Sequence, residues 1–332
     1  MSQNIKKNIL LFFSLSILII TNSSFSKNFK KGMNNVVISS GDNLQGYQDI
    51  ISNKIPKEIK IDGKLYLSDD CKSKKSPAVI IQHGSGSPKS EFYSATAQAL
   101  NSSGIIALVP DSFKKRGISS TGKNQGQLSK ATRLYDTFSA FKFLRNLKCV
   151  DPNRVGLTGY SFGGIISIDS VESKLASKLG DGYVYKATLP VYPSCQNNFK
   201  NTNPTKTKVH ILAAGLDNYT PSSYCTESVN VKKTKGWDID ITIFNDAHHG
   251  FNSKSNPKKY NSWTFGDCGE IFTDDEGYEF SPKYNVSTKN GWKKYVKTLA
   301  KNCGRKGVTV GGSPELAKKT IEFTVNFFAN NL

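Results

Sequence analysis

Short apolar runs alternate with helical patterns along most of the chain, and this alternation constrains the fold more than any other feature of the sequence. The apolar runs cover residues 59–67, 78–82, 105–109, 155–158, 187–192, 209–213 and 239–244. Most of them contain few polar residues, as strands buried on both faces of a parallel sheet do, whereas residues 239–244 alternate more. Strands and helices in this order predict a doubly wound, mostly parallel α/β sheet with right-handed crossovers.

Two stretches carry apolar residues at helical spacing, and one long segment breaks the alternation. The two predicted helix faces are Leu134, Phe138, Phe141 and Leu144, and, near the end of the chain, Leu316, Thr320, Phe323 and Phe327. The interrupting segment, residues 252–312, contains Trp263, Trp292, Tyr260, Tyr278, Tyr295 and two cysteines. Its aromatic content is too high for a disordered linker. We therefore expect an ordered, aromatic, cysteine-containing insertion before the last helix of one α/β domain spanning residues 53–332.

The first residues resemble a targeting signal. Lys6 and Lys7 precede an apolar run at residues 9–20, and Ser24-Phe25-Ser26 offers small residues for a signal peptidase. Because the run is short for a bilayer span, we expect cleavage after about Ser26 and no stable membrane anchor afterwards. Residues 27–52 are polar and contain glycine, which predicts a loosely attached N-terminal arm.

The chain is strongly basic, with a formal net charge of +19. Residues 1–26 hold two lysines and no acidic residue, so their removal leaves +17. Such a charge suits a nucleic-acid binder or a protein attracted to anionic cell-surface polymers. The lysines are nevertheless scattered and form no long basic run, which favours a solvated surface. We expect no nucleic-acid partner.

Six cysteines, an even number, fit an oxidising compartment. Six thiols allow 15 connectivities, and buried thiols remain the alternative. The sequence contains no Cys-x-x-Cys and no cluster of cysteine with histidine, so we expect neither a metal site nor a cofactor.

The pattern Gly-Tyr-Ser-Phe-Gly places Ser161 between the apolar run 155–158 and a helical stretch that begins with Ile165. A strand-to-helix elbow requires almost no side chain two residues before and two residues after its central serine, and Gly159 and Gly163 occupy those positions. Such a turn presents the hydroxyl at the carboxyl ends of the strands, where open α/β sheets bind ligands. Ser161 is therefore a candidate nucleophile.

A serine nucleophile needs a histidine to take its proton, and the chain has four histidines. His210 lies inside the predicted strand 209–213, and His83 opens a glycine-containing loop. The adjacent His248 and His249 follow the strand 239–244 at the same sheet edge as Ser161, so the base is expected to be one of them.

The carboxylate that orients this histidine is expected at a strand end between the serine and the histidine. Asp217 directly follows the strand 209–213 and meets this requirement. Asp238, Asp240 and Asp246 are less suitable, because the first two precede or lie within a strand and the third is too close to the histidine loop. The order serine, aspartate, histidine is that of α/β-hydrolases.

The oxyanion formed by serine attack on an ester needs two backbone donors. The N–H of Phe162, at the start of the elbow helix, is one candidate. The second is expected from the loop His83-Gly84-Ser85-Gly86, with the N–H of Ser85 as the favoured donor.

Several motifs together resemble one known family. They are Gln82-His83-Gly84, Pro110-Asp111-Ser112-Phe113 with Arg116-Gly117, Val150-Asp151-Pro152-Asn153-Arg154-Val155 leading into Gly-Tyr-Ser-Phe-Gly, Gly215-Leu216-Asp217 with Thr220-Pro221, and His249-Gly250-Phe251. In these motifs the chain is similar to the dienelactone hydrolase family of the α/β-hydrolase superfamily, over residues 59–251 and the last helix. The resemblance implies that His249, which directly precedes Gly-Phe, is the base. The name-giving enzymes carry a cysteine where this chain has Ser161, so their substrate is not carried over.

The layout also suggests how the cysteines pair. Cys195 follows the strand 187–192 and Cys225 begins the helix after Asp217, so both should lie near the active-site edge. A bond between them would brace the loop that carries Asp217. Cys268 with Cys303 would close the insertion, which leaves Cys71 with Cys149.

These observations predict an exported, periplasmic or secreted serine hydrolase that cleaves a carboxylic ester or related acyl bond in a small-molecule or polymer substrate. The alternatives are a peptidase of the prolyl oligopeptidase type, for whose propeller the chain has no room, and a basic binding protein that keeps a hydrolase fold without turnover. A glycan on the Asn-x-Thr site at Asn218 would crowd Asp217, which favours a bacterial source.

Overall fold

The computed structural model describes residues 29–72 and 74–332. The predicted signal peptide, residues 1–26, lies outside this part of the chain. The described strands are β1 (Gly32–Asp42), β2 (Lys57–Leu67), β3 (Ser76–Gln82), β4 (Ile106–Asp111), β5 (Val150–Tyr160), β6 (Ala187–Val191), β7 (Asn197–Phe199), β8 (Lys208–Ala214), β9 (Ile239–Phe244), β10 (Lys258–Thr264), β11 (Ile271–Thr273), β12 (Glu279–Ser281), β13 (Val286–Ser287) and β14 (Arg305–Val310).

The helices flank or follow these strands. The α-helices are α1 (Tyr47–Ile51), α2 (Glu91–Ser102), α3 (Lys130–Arg145), α4 (Phe162–Asp169), α5 (Ser173–Leu179), α6 (Ser222–Thr234), α7 (Trp292–Asn302) and α8 (Pro314–Asn331). Single 3₁₀ turns occur at Lys114–Arg116, Gln125–Gln127, Gly266–Cys268 and Thr288–Asn290.

The main sheet has eight strands in the order β1-β2-β4-β3-β5-β6-β8-β9. The pairs β1 with β2 and β2 with β4 are antiparallel, and every other neighbouring pair is parallel. This topology confirms the predicted doubly wound, mostly parallel α/β fold. All seven apolar runs lie in strands of this sheet, in some cases with bounds shifted by a few residues.

Helices cover both faces of the sheet because its central strands are apolar on both sides. In β3, Ile80 belongs to one buried cluster and its neighbours Val79 and Ile81 belong to the other, since successive strand residues point to opposite faces. The predicted face of α3, from Leu134 to Leu144, is buried in the first cluster. Phe327 of α8 packs in the second.

The N-terminal segment differs from its prediction. Residues expected to form a loose arm instead form the edge strand β1, which pairs with β2 in unbroken register from Gly32 to Asp42. The sequence here appears polar because Asn and Ser occupy several of its positions. Buried and exposed residues nevertheless alternate: Val36 and Ile38 are buried, and Val37 between them is exposed, which is the pattern of a strand with one solvated face. The expectation of a loosely attached arm was therefore wrong.

The segment 252–312 is ordered, and its elements form two small sheets. Strand β10 pairs with β14, while β11, β12 and β13 join β7 in a separate four-stranded sheet. Cys268, Tyr295 and Leu299 are buried together in a small core of its own. This segment, the insertion, is therefore a folded part of the molecule with its own core.

Three disulfide bonds join the six cysteines in the pairs Cys71–Cys149, Cys195–Cys225 and Cys268–Cys303. These are the pairs expected from the layout of the sequence. The third bond ties the 3₁₀ turn after β10 to the end of α7. Among the helices of the described residues, none combines the length and apolarity needed to cross a membrane.

Candidate active site

Ser161 lies in the sharp turn between β5 and α4, with φ 55° and ψ −115°. A positive φ is strained for a serine, and such strain persists only where the surroundings enforce it. The flanking glycines allow the turn to close. A Cβ on Gly159 would lie 2.0 Å from the carbonyl oxygen of Gly163, and a Cβ on Gly163 would lie 2.3 Å from that of Gln82. Any larger residue at either position would collide with the backbone.

The structure brings Ser161, Asp217 and His249 into one hydrogen-bonded array. The Ser161 hydroxyl lies 2.9 Å from Nε2 of His249, and Nδ1 of His249 lies 2.8 Å from Oδ2 of Asp217. His249 and Asp217 are both buried. Asp217 follows β8 and His249 follows β9, so the order of parallel strands places them beside the turn after β5. In this arrangement Nδ1–H donates to the carboxylate, which leaves Nε2 free to accept from the hydroxyl.

Of the two adjacent histidines, only His249 faces Ser161. Nδ1 of His248 lies 3.1 Å from the carbonyl oxygen of Leu216. The ring of His249 is flanked by Tyr192 and Tyr219, with centroid distances of 4.7 Å and 4.8 Å. These rings restrict the orientation of the imidazole.

The Asp217 carboxylate is held by its own loop. The backbone N–H groups of Tyr219 and Thr220 both donate to Oδ1 at 2.8 Å, and the Thr220 hydroxyl donates to Oδ2 at 2.9 Å. Burial acts to raise the pKa of Asp217, but the facing His249 and these N–H donors outweigh it, so the pKa lies below its ordinary value. Asp217 is therefore an anion positioned to fix the tautomer of His249.

The other candidate carboxylates lie elsewhere. Asp238 forms an ion pair with Lys208 and Asp240 with Lys233, while Asp246 is exposed. Thr220 was expected only as part of a family motif, but its hydroxyl also lies 3.1 Å from Nδ1 of His249. A threonine three residues after an acid in a strand-end loop is the signal that could have indicated this contact.

The loop His83 to Gly86 packs directly against the elbow. A Cβ on Gly84 would lie 2.9 Å from the carbonyl oxygen of Tyr160 and 3.3 Å from Cβ of Ser161. Within the described residues, the N–H groups of Phe162 and Ser85 donate to no protein acceptor. Both candidate donors for an oxyanion are thus uncommitted, on loops that meet at Ser161.

Arg133 of α3 is a buried residue of this site that the sequence argument missed. Its guanidinium donates to the carbonyl oxygen of Gly84 at 2.8 Å and stacks over the ring of Phe162, 4.4 Å from its centroid. Burial, followed by the charge of Arg133, lowers the pKa of the neighbouring His83 to about 3, so His83 is neutral. Arg133 thus joins the two loops that carry the candidate oxyanion donors. A basic residue beside Leu134, on the apolar face of a helix, is the signal that could have identified it.

A cavity of about 960 Å³ opens above Ser161. Its floor includes Ser161 and Phe162 at the sheet edge, and its walls come from residues 43–48, residues 122–130 and the insertion. From the insertion, Trp263, Phe265, Trp292 and Tyr295 line the space. Segments far apart in the sequence therefore enclose the site, and the insertion forms one side of it. In the described residues, no group of three or more His, Cys, Asp or Glu side chains is arranged to hold a metal ion.

Comparison with known proteins identifies a family to which the chain is similar. The family model described as the dienelactone hydrolase family matches residues 61–274. A curated protein of Aquifex aeolicus (strain VF5), named putative carboxymethylenebutenolidase, is 23% identical over 189 residues, which are 53% of this chain and 76% of that protein. A thiohydrolase of Arthrinium phaeospermum is 32% identical over 95 residues, but these cover 28% of this chain and 30% of the thiohydrolase.

Among solved structures, a dienelactone hydrolase-like promiscuous phosphotriesterase from metagenomic libraries aligns with a TM-score of 0.52 and 12% identity. The alignment covers 90% of this chain and 99% of that one, and it shows a common fold. The family match spans more than half of the chain and includes the elbow and the loops of Asp217 and His249. The chain belongs to the dienelactone hydrolase family and is a hydrolase of the carboxylic-ester-hydrolase type.

Proposed function

We propose that the protein hydrolyses a carboxylic ester or related acyl bond through a covalent acyl-enzyme on Ser161. The observation that carries this proposal is the continuous array from the Ser161 hydroxyl through His249 to Asp217, with successive distances of 2.9 Å and 2.8 Å. A serine hydroxyl becomes nucleophilic when a histidine can take its proton, and the histidine needs an anion to hold its other nitrogen.

Acylation would begin when Oγ of Ser161 attacks the carbonyl carbon while Nε2 of His249 takes the hydroxyl proton. Asp217 would stabilise the resulting imidazolium through Nδ1–H. The negative charge that develops on the carbonyl oxygen would be met by the N–H groups of Phe162 and Ser85. Collapse of this intermediate breaks the bond to the leaving group, which receives the proton from Nε2, and leaves the acyl group on Oγ.

Deacylation would repeat these steps with water as the nucleophile. His249 takes a proton from a water molecule, the hydroxide attacks the acyl carbonyl, and the proton returns to Oγ as the carboxylic acid leaves. The acyl bond can be an oxygen ester or a thioester, because one relative is named a thiohydrolase and both bonds react through the same intermediate. The serine at the elbow separates this chain from the family's cysteine enzymes, so we propose no lactone substrate.

We also propose that the protein is exported. Three disulfide bonds within the described residues support this location, because disulfides persist in oxidising compartments. Mass spectrometry of the protein from its natural source should find a mature chain that begins close to Lys27 and carries no free thiol before reduction. A chain that retains residues 1–26, or that contains six free thiols, would refute export.

Hydrolysis of 4-nitrophenyl acetate by three variants tests the catalytic proposal. Ser161→Ala and His249→Ala should each lower kcat by a factor on the order of 10⁴ to 10⁶. His248→Ala is the matched control, since its ring contacts Leu216 rather than Ser161, and it should retain at least about half of the activity. Undiminished turnover by folded Ser161→Ala would sink the proposal.

A further inference from the structure

The insertion contains a stretch of one charge sign. Between residues 280 and 314 the sequence has eight basic residues and no acidic residue. They are Lys283, Lys289, Lys293, Lys294, Lys297, Lys301, Arg305 and Lys306. Eight of the 45 basic residues of the chain therefore lie, with no acidic residue between them, in the segment that forms one side of the Ser161 cavity.

Helix α7 separates its charges from its apolar residues. Tyr295, Val296 and Leu299 lie on the face that lines the cavity. Lys293, Lys297 and Lys301 recur every four residues on another face and are exposed, as is Lys294. The same helix thus borders the candidate active site on its inner side and presents four positive charges on its outer side.

These lysines are not neutralised within the protein. Of the eight basic residues, Lys289 reaches Glu276 and Arg305 reaches Asp267. In the part of the chain that the structure describes, no carboxylate lies within 4.0 Å of the four α7 lysines. Like charges four residues apart destabilise a helix, so Lys293, Lys297 and Lys301 weaken α7 when it stands alone.

A fifth lysine extends this surface along the rim of the cavity. Lys306 of β14 lies over the ring of Trp263, 5.3 Å from its centroid, and Trp263 lines the cavity. We call Lys293, Lys294, Lys297, Lys301 and Lys306 the basic wall. The basic wall borders the Ser161 cavity, because Trp263, which lines the cavity, also lies against Gly304 at the end of α7.

We propose that the basic wall binds an anionic polysaccharide and that O-acyl groups carried by this polymer enter the cavity as the substrate of Ser161. The proposal rests on the proposed function, since it names the substrate class of the same site. A repeating negative charge complements a row of lysines spaced along a helix, and it raises the local concentration of the attached esters. A cavity of about 960 Å³ has room for a sugar residue with its acyl group.

The chemistry of the cavity favours a glycan over other polyanions. Asn124 and Gln125 line it with amide groups, which can both donate to and accept from hydroxyls, and Trp292 supplies an aromatic face. A nucleic acid would satisfy the basic wall but offers no acyl ester to a serine hydrolase. A membrane surface is disfavoured because Tyr295 and Leu299 of α7 are buried, which leaves Trp292 as the one exposed large apolar side chain of this helix and therefore no apolar face to insert.

A matched pair of polymers tests the proposal. Dextran and carboxymethyl-dextran, O-acetylated to the same degree, differ in charge but share one backbone, and acetate release gives kcat and KM for each. At low salt KM should be about tenfold lower for the anionic polymer, and this advantage should disappear at about 0.5 M salt, where charges are screened over about 4 Å.

Two triple variants locate the effect. Lys293→Gln/Lys297→Gln/Lys301→Gln should raise KM about tenfold on the anionic polymer and leave the neutral polymer and 4-nitrophenyl acetate unchanged. Lys60→Gln/Lys64→Gln/Lys186→Gln removes the same charge from exposed lysines elsewhere and should change KM less than about twofold. Equal KM values for the two polymers, or equal losses in the two triple variants, would overturn the proposal.

A binding measurement separates this proposal from the proposed function. Calorimetric titration of the Ser161→Ala protein with unesterified carboxymethyl-dextran should show salt-sensitive binding that the α7 triple variant loses. If Ser161→Ala retains hydrolysis and also binds the polymer, the catalytic assignment of Ser161 fails, but the proposed binding role of the basic wall stands. If the protein does not bind the polymer, the proposed role of the basic wall is overturned and the catalytic assignment is unaffected. Tighter binding of double-stranded DNA or of phosphatidylglycerol vesicles than of the glycan would also overturn it.

Discussion

The edge of the main sheet and the insertion both border the Ser161 cavity, but they are built differently. Ser161, Asp217 and His249 each follow a parallel strand whose hydrogen bonds and buried side chains fix its position. The insertion has short strands, a small core and the Cys268–Cys303 bond. The difference suggests a division of roles, in which the sheet fixes the reacting groups and the insertion shapes what reaches them.

The insertion is attached to the rest of the chain by a few specific contacts. Lys130 of α3 forms an ion pair with Glu279 of β12, at 2.5 Å, and each side chain is 13% exposed. Gly277, at φ 93°, lies so close to α1 that a Cβ there would be 2.3 Å from the backbone nitrogen of Gln48. Single substitutions can remove such contacts without changing a residue of the main sheet, so the insertion and the sheet can be perturbed separately.

The largest effect is expected at the sheet edge, from Asp217→Asn. An asparagine that turns its NH₂ toward Nδ1 favours the tautomer with a proton on Nε2, which cannot accept the Ser161 hydroxyl proton. We expect kcat for 4-nitrophenyl acetate to fall about 10⁴-fold with an unchanged circular dichroism spectrum. Asp246→Asn, at an exposed carboxylate in the same region, is the control and should stay within about twofold. Equal activity of the two variants would mean that another group orients His249.

The elbow should be the least tolerant backbone position. Gly163→Ala puts a Cβ 2.3 Å from the carbonyl oxygen of Gln82, which cannot move without breaking the sheet. We expect urea unfolding to show a loss of about 4 kcal/mol. Gly86→Ala meets no atom within 4 Å and should cost less than about 1 kcal/mol. Similar losses for both variants would contradict the steric argument.

Breaking the Lys130–Glu279 pair should loosen the insertion and spare the sheet. Glu279→Gln leaves a buried ammonium without its partner, which we expect to cost about 3 kcal/mol. Hydrogen exchange measured by mass spectrometry should speed up in residues 271–303 and remain slow in β3 and β5. Glu276→Gln removes an ion pair whose partners are 57% and 65% exposed and should have little effect, below about 1 kcal/mol. Faster exchange in both regions would show that the insertion and the sheet open together.

The last of these effects is expected from pH, through a buried carboxyl between α4 and α5. Burial raises the pKa of Glu172 from its ordinary 4.5 to about 7, despite hydrogen bonds from Thr202 and Asn203. The folded state therefore holds a proton that the unfolded chain releases, and stability falls as pH rises from 4.5 to 7. We expect this contribution to be about 3 kcal/mol. Urea unfolding of Glu172→Gln should lack this decline, and an unchanged decline would assign it to other groups.

The same contrast separates what the sequence predicts from what it does not. The strands that carry Ser161, Asp217 and His249 are recognisable from local apolar runs, and the elbow from its two glycines, because the constraint lies within a few residues. Strand β1 was missed because Val36 and Ile38 are diluted by polar residues on its exposed face. Its pairing with β2 is a contact with another segment, and the residues of β1 alone do not show it.

Contacts between remote segments account for the remaining differences. Arg133 and Gly84 lie 49 residues apart, so the local sequence around either residue does not indicate their hydrogen bond. The charge of the chain was interpreted as a dispersed solvated surface, since no long run of lysines exists. Helical spacing collects Lys293, Lys297 and Lys301 on one face of α7, and only the fold places that helix beside Ser161.

Mass spectrometry after treatment with a fluorophosphonate tests the central claim most directly. If the sheet edge holds an activated nucleophile, the protein should gain one phosphonyl group per chain, located by peptide mapping at Ser161. Ser161→Ala should gain none, and His249→Ala should react far more slowly. A wild-type protein that stays unmodified, or a label found on any residue other than Ser161, would contradict the account.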